Sequence, residues 1–479
     1  LTKISISNNI NTVGIKMVVK NFKEVNMTKP VKYFSIIFLM VIILTLPGVS
    51  AEVKSKETRT ADIEQKRQAI TELAKLIRAR YAIADAAEKA AQMLEKNLAD
   101  GLYDKTPDAQ AFADAITADL QRITADKHFR FGLEPLPEPK PGSPEPAKPL
   151  DEEAERAARL AGLRCSNYGF LKVEILPGNV GYLDFRRFQP PNLSGDTLVA
   201  AMAFLANTDA IIVDLRNCRG GSAYMTPYFA AYFFPRATHL FEMEFRGDNF
   251  TEHFWTAAYL PGKKLPDVPL YILTSAYTFS GAEGFAYRFK VLKRATIIGE
   301  TTGGGANAGG ILDVAPFFRV YMPMGRPVDP DTGTNWEGTG VEPHIKTAAR
   351  EALTTAHLEA LNMLKTKTPG KDDQAHLDWA IERVTSSRNP INLTTEELHR
   401  FTGDYGACRV YLEGGQLRFQ PPNRPPLLLT PISRTVFMAE AQELVRIEFI
   451  FKPNRAVEKL IYIDEDGFRS ELIPGARNK

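Results

Sequence analysis

Leu270-Tyr271-Ile272-Leu273-Thr274-Ser275-Ala276-Tyr277-Thr278-Phe279-Ser280-Gly281-Ala282-Glu283 begins as a short apolar strand and turns sharply. A helix follows, because Phe285, Ala286, Phe289 and Leu292 recur at helical spacing. Ser280 therefore falls at a helix N-terminus. There, unpaired backbone N–H groups and the positive end of the helix dipole can stabilise an oxyanion formed after attack by a hydroxyl. The same residues also fit a capping box, Ser280 with Glu283, which requires no chemistry. This segment alone does not separate the two readings.

Outward from it, Val180–Phe185, Thr197–Leu205, Ala210–Leu215 and Pro269–Thr274 alternate between short apolar strands and a helix. That alternation predicts an α/β domain with buried strands over residues 166–365. Three small-residue segments each follow a strand: Asp214-Leu215-Arg216-Asn217-Cys218-Arg219-Gly220-Gly221, Thr274 to Glu283, and Gly299 to Gly310. Loops at strand ends are where sheet enzymes place their sites. The run Gly303-Gly304-Gly305 lacks the Gly-Lys-Ser/Thr ending of a phosphate-binding loop, so close backbone approach or a turn explains it better.

Residues 52–130 are rich in Ala, Glu, Lys, Leu and Arg, and their apolar periodicity predicts helices at about 56–80, 82–99 and 106–124. The third is introduced by Thr106-Pro107-Asp108, which has the look of a cap followed by proline at the first helical position. Seven prolines between Pro135 and Pro149 predict a linker over 131–165. After a short helix near 351–365 and a connection over 366–395, period-2 segments separated by Gly, Pro and Asp turns predict a small antiparallel β domain over 396–479.

The chain has 479 residues, which suits several domains, and 44% hydrophobic content, normal for a folded protein. With 59 basic and 57 acidic residues the net charge is +2, giving no pull toward nucleic acid. Lys29 and Lys32, the apolar run Ile36 to Leu46, and Val49-Ser50-Ala51 read as a leader and signal peptide over 1–51. The run is too short to span a bilayer, so no stable membrane insertion is expected after cleavage, and an exported, periplasmic or extracellular protein is. Cys165, Cys218 and Cys408 fit neither a metal knuckle nor a disulfide scaffold, and none of the seven histidines has metal-ligand spacing. No metal and no cofactor are therefore expected.

Taken in order, Gly181-Tyr182-Leu183, Asp214-Leu215-Arg216-Asn217 with Gly220-Gly221, Thr274-Ser275 through Ser280-Gly281-Ala282-Glu283, Gly299-Glu300-Thr301-Thr302-Gly303 and Glu337-Gly338-Thr339-Gly340-Val341-Glu342-Pro343 resemble the tail-specific (C-terminal processing) serine peptidase family. The resemblance covers roughly residues 166–350. It implies a ClpP/crotonase-like core, Ser280 as nucleophile, and an oxyanion hole from the N–H groups of Gly220 or Gly221 and of Gly281. Processing peptidases of this family place a lysine directly after the Gly-Glu pair, where this chain has Thr301. Lys290 and Lys293 sit about 15 Å or more along the helix at 1.5 Å per residue, too far to serve. The chain is more similar to the branch containing tricorn core peptidases and interphotoreceptor retinoid-binding protein modules. By that likeness His128, in Asp126-Lys127-His128-Phe129-Arg130, is the general base and Glu337 the group that orients it. On its position alone His128 is an ordinary histidine at a helix-to-strand junction.

Between His128 and Val180 there are only about 50 residues, which leaves no room for the PDZ-type module that processing peptidases use to capture C-termini. Peptides or unfolded proteins are the expected substrates, and the oligomeric state is left open. The competing reading is a non-catalytic binding module for apolar ligands or peptides on the same fold, and an esterase is a third.

Overall fold

Strands buried on both faces need helices on both sides, and the chain supplies them. The computed structural model describes residues 59–133, 152–314, 317–439, 445–463 and 468–475. The expected leader and signal peptide over 1–51 lie outside these residues, as do the prolines of 135–149. Among the described residues no helix is long and apolar enough to cross a membrane.

Three helices open the described chain: α1 (Ile63–Arg80), α2 (Ala84–Ala99) and α3 (Ala109–Thr124). Their cap residues are Asp62, Ile83 and Asp108; Asp62 and Asp108 accept the N3 backbone N–H, as short polar caps do. Asp108 rather than Thr106 thus starts α3, with Pro107 just outside it. The segment expected as a linker carries structure at both ends, β1 (Arg130–Leu133) and α4 (Glu152–Cys165).

The core follows in order: β2 (Phe170–Leu176), β3 (Val180–Phe185), α5 (Pro191–Phe204), β4 (Ala210–Asp214), α6 (Met225–Ala230), β5 (His239–Phe245), β6 (Phe250–Trp255), β7 (Leu270–Thr274), α7 (Gly281–Val291), β8 (Thr296–Gly299), β9 (Ala308–Val314), β10 (Phe318–Val328) and β11 (Ile345–Lys346). Its main sheet has the order β11-β8-β7-β4-β3-β2, parallel except for β2. Alternate residues face opposite sides. Leu183, Ile211, Val213 and Ile272 pack with Phe229 and Phe285, whereas Tyr182, Ile212, Leu273 and Ile298 pack with Ala356 and Leu361. The latter face is covered by α8 (Ala352–Lys367) and α9 (Lys371–Arg388). Helix α9 occupies the stretch expected as a plain connection.

A second sheet, β1-β10-β5-β6 with β9 on β10, is antiparallel. The N-terminal helices rest on it: Ile70, Leu73, Phe112 and Ile116 share a core with Phe131, Phe318 and Val320. This packing carries the turn after α3 to the edge of the core.

After α10 (Thr395–His399), the C-terminal domain is a meander of β12 (Gly403–Tyr405), β13 (Cys408–Glu413), β14 (Gln416–Gln420), β15 (Leu427–Pro431), β16 (Val436–Ala439), β17 (Arg446–Phe451), β18 (Val457–Ile463) and β19 (Arg469–Leu472). Tyr405 bridges Pro474, so the meander nearly closes on itself around Phe419, Phe437, Phe449 and Leu460. The expected α/β core with N-terminal helices and a C-terminal antiparallel β domain is therefore the observed architecture.

Candidate active site

The parallel strands β4, β7 and β8 end side by side, and the loops after them interlock. Thr278 Oγ1 donates to Leu215 O (2.8 Å), Ser275 Oγ to Arg216 O (2.6 Å), Phe279 N to Cys218 O (3.1 Å), and Gly303 N to Thr278 O (2.9 Å). Glu300 accepts the N–H groups of Ala276 (3.1 Å) and Ala349 (3.0 Å), which hold its carboxyl below the usual range. The strand ends thus form one rigid platform.

Ser280 is the N-cap of α7, with φ 54° and ψ −125°. The caps Asp62, Asp108 and Thr394 have φ of −73°, −151° and −69° with ψ between 159° and 176°, the extended backbone ordinary caps adopt. A non-glycine residue in Ser280's region is strained by about 1–3 kcal/mol. Glu283 does complete a capping box with it, but capping alone does not account for this backbone. A strained strand-to-helix turn of this kind exposes the nucleophile in some sheet hydrolases.

Glu283 is fully buried and accepts four donors: Ser280 N (2.8 Å), Gly304 N (2.7 Å), Gly305 N (3.0 Å) and the Thr302 hydroxyl. Burial raises its pKa against those hydrogen bonds. One carboxylate therefore locks the elbow to the loop after β8.

Gly220 and Gly221, with φ of 79° and 142°, pass directly beside the elbow. A Cβ on Gly220 would come 2.4 Å from Gly281 N, and one on Gly221 would come 2.1 Å from Phe188 O. Only glycine permits that approach. Gly281 is the first residue of α7 and has no intrahelical acceptor for its N–H. Among the described residues, the N–H groups of Gly220 and Gly221 donate to no backbone carbonyl either.

His128 lies in the turn after α3, which ends at Ala125 in the left-handed region (φ 57°). Asp126 fixes this turn: its Oδ1 accepts His128 N (2.9 Å), while its Oδ2 accepts Asn307 Nδ2 (2.9 Å) and the Tyr81 hydroxyl (3.4 Å). The imidazole is buried against Phe279, ring centroids 4.7 Å apart, and neither ring nitrogen has a hydrogen-bond partner. His128 thus packs on the residue that precedes Ser280, and its ring nitrogens make no hydrogen bond to Ser280. Asp126 Oδ1 stands 3.5 Å from His128 Nδ1.

Glu337 meets the same group. Trp336 sits over Gly284 of α7 and donates its Nε1 to Gly305 O (2.8 Å), which anchors the segment. Glu337 Oε2 accepts the N–H groups of Ala306 (2.5 Å) and Asn307 (3.0 Å), and Oε1 is buried without a partner. Burial, with the nearby Asp126 charge, pushes its pKa up to about 7, opposed by the Ala306 and Asn307 N–H groups and by His128. Ligand atoms of Asp126, His128 and Glu337 lie within 4.8 Å of one another, a donor set that could hold a cation.

Linear reading missed Asp126, although it stands two residues before His128, because its role depends on Asn307 and Tyr81. It also missed the four-donor role of Glu283 and the packing of His128 against Phe279, their rings tilted by 40°. At Gly303-Gly304-Gly305 the close approach seen is to the protein's own side chains: a Cβ on Gly305 would lie 2.2 Å from the Phe279 ring and 2.9 Å from His128. Lys290 is engaged with Glu342 O (2.6 Å), and His344 Nδ1 accepts Ile297 N (2.9 Å).

Against known proteins, the family model of peptidase family S41 matches residues 179–347. The model for the N-terminal domain of peptidase S41 in eukaryotic IRBP matches residues 63–161. Solved structures with a similar fold include a photosystem II D1 C-terminal processing protease, at 15% identity over 59% of this chain and 93% of that one with TM-score 0.38. A lipoprotein from Streptococcus agalactiae matches at 16% identity over 64% and 97%, TM-score 0.41. Mature CPAF complexed with lactacystin matches at 12% identity over 67% and 100%, TM-score 0.42. The protein is a serine peptidase, a hydrolase of peptide bonds. It belongs to peptidase family S41, and the two family matches together take in more than half of the chain.

Proposed function

We propose that this chain is an exported serine endopeptidase acting on extended peptides or unfolded proteins, with Ser280 as nucleophile, His128 as general base and Glu337 as the group that orients it. The observation that carries this reading is the strained backbone of Ser280 at the head of α7, held where ordinary caps in the same chain are relaxed. In the reaction, the Ser280 hydroxyl attacks the scissile carbonyl while one ring nitrogen of His128 takes its proton. The oxyanion is received by the N–H of Gly281 and that of Gly220 or Gly221, which no backbone carbonyl occupies. His128 then returns the proton to the leaving amine, and water repeats the sequence on the acyl-enzyme.

Of the two carboxylates beside His128, Glu337 has the spare acceptor. Asp126 already accepts His128 N, Asn307 Nδ2 and the Tyr81 hydroxyl, whereas Glu337 Oε1 accepts nothing and can take the other ring N–H and stabilise the imidazolium. Asp126 positions the turn and adds negative charge. The Ser280–His128 hydrogen bond forms as substrate closes the site, since catalytic hydrogen bonds often tighten only in the complex. The export reading rests on the signal-like residues 27–51.

Digestion of a peptide library and of a denatured protein, followed by mass spectrometry, tests the substrate class. Internal cleavages that disappear in Ser280→Ala support an endopeptidase. Stepwise loss from C-termini, or hydrolysis of small esters alone, would replace it with an exopeptidase or an esterase.

A further inference from the structure

A second group of ligand-bearing side chains lies on the hairpin of β5 and β6. Glu242 pairs directly with His253 across the hairpin, and His239 pairs with Trp255. In a regular strand, residues 239 and 242 would face opposite sides. The register shifts between His239 and Phe241, where two residues of β5 oppose one of β6, and this bulge turns His239 onto the face of Glu242. Burial follows the same division: Leu240, Met243 and Phe254 point inward, while His239, Glu242, His253 and Trp255 share the outer face. The His239 ring stacks on Trp255, centroids 4.5 Å apart and 8° from parallel, which fixes its orientation.

The three side chains converge closely enough to share one ion. Glu242 Oε1 is 3.1 Å from His253 Nδ1 and 3.9 Å from His239 Nε2, and the three ligand atoms all lie within 4.8 Å of one another. Ligands about 2.1 Å from a tetrahedral zinc ion stand about 3.4 Å apart, so small side-chain adjustments complete the site. His239 Nε2 is buried and has no hydrogen-bond partner. Arg288 of α7 donates Nη2 to His239 O (2.7 Å) and Nη1 to Asp329 (2.8 Å), which secures the β5 end of the site to the helix that begins at Ser280.

We propose that His239, Glu242 and His253 bind one divalent transition-metal ion of the zinc class, with water in the remaining position, at a site separate from Ser280. Two imidazoles and one carboxylate suit zinc and disfavour calcium or magnesium, which prefer oxygen ligands. Linear spacing could not reveal the site, because the hairpin pairing and the bulge assemble it.

Titration of the metal-free purified protein with Co²⁺, followed by visible absorption, and with Zn²⁺, followed by calorimetry, tests this. One ion per chain with the absorption of low-coordinate Co²⁺ is expected. His253→Ala, whose side chain is on the surface, should keep the fold, lose the absorption and weaken zinc by roughly 100-fold or more. Glu242→Gln should weaken binding as well, and His128→Ala should leave it unchanged. Absence of binding would overturn the proposal. So would binding that survives in His253→Ala, or binding lost in His128→Ala, which would place the ion among Asp126, His128 and Glu337.

Discussion

Ser280 shows what a single residue can disclose. Its identity at a helix start fits a cap, and only its φ of 54° separates it from the ordinary caps of the chain. The ordered set of motifs around it named the residue through their resemblance to a peptidase family, since its own spacing fits a cap equally well, but sequence could not register the strain. Replacing it by glycine, which adopts this region freely, should stabilise the protein by about 1–2 kcal/mol in chemical denaturation while abolishing peptidase activity. Ser280→Ala keeps the strained backbone and should not show the gain. Glu337 sets a pH dependence. In the proposed mechanism its carboxyl must ionise to hold a protonated His128, so kcat/KM should rise as pH passes about 7. Stability runs the other way: the folded form keeps this proton more tightly than the unfolded chain, so between the ordinary carboxylate range and about pH 7 stability falls as pH rises. Glu337→Gln should remove that slope and lower kcat/KM by roughly 10²- to 10⁴-fold, read from rate and denaturation profiles across pH.

Among elements, the site is a junction of loops whose strands were legible as short apolar runs. The alternation of β and α segments predicted β3, β4, β7 and α7, because buried parallel strands have few other readings. The antiparallel sheet of β5, β6, β9 and β10 was not foreseen, since its strands are half-buried and mix charged with apolar residues. Helix α9 was hidden for a similar reason: its apolar stripe is narrow, and packing on α8 gives it stability. The junction depends most on Glu283. Its replacement by alanine strands the N–H groups of Ser280, Gly304 and Gly305 and the Thr302 hydroxyl, at a cost of roughly 3–5 kcal/mol in urea unfolding. Gly220→Ala should act locally, since its methyl would collide with Gly281 N. Labelling of Ser280 by an active-site reagent should fall sharply.

On the scale of the whole molecule, three of the cores divide the work. The first spans one face of the parallel sheet, the second joins the N-terminal helices to β10, and the third lies inside the C-terminal meander. The N-terminal helices were legible from periodicity, and the resemblance pointed to His128, but its packing on Phe279 beside Ser280 was not legible from spacing, because that contact spans the chain. The C-terminal domain was legible as an antiparallel domain, while its closure through Tyr405 and Pro474 depends on pairing between the two ends of the meander. With its own core, a fragment covering residues 393–479 should fold alone, giving a β-type circular dichroism spectrum and a cooperative transition. The remainder, 59–392, should retain reactivity at Ser280.

The decisive measurement is fluorophosphonate labelling of the purified protein beside Ser280→Ala and His128→Ala, with circular dichroism to confirm that each is folded. Labelling of the wild type, with loss in both variants, is the expected result for a histidine-activated serine. A folded wild type that takes no label, or a His128→Ala variant that labels as fast as the wild type, would contradict it.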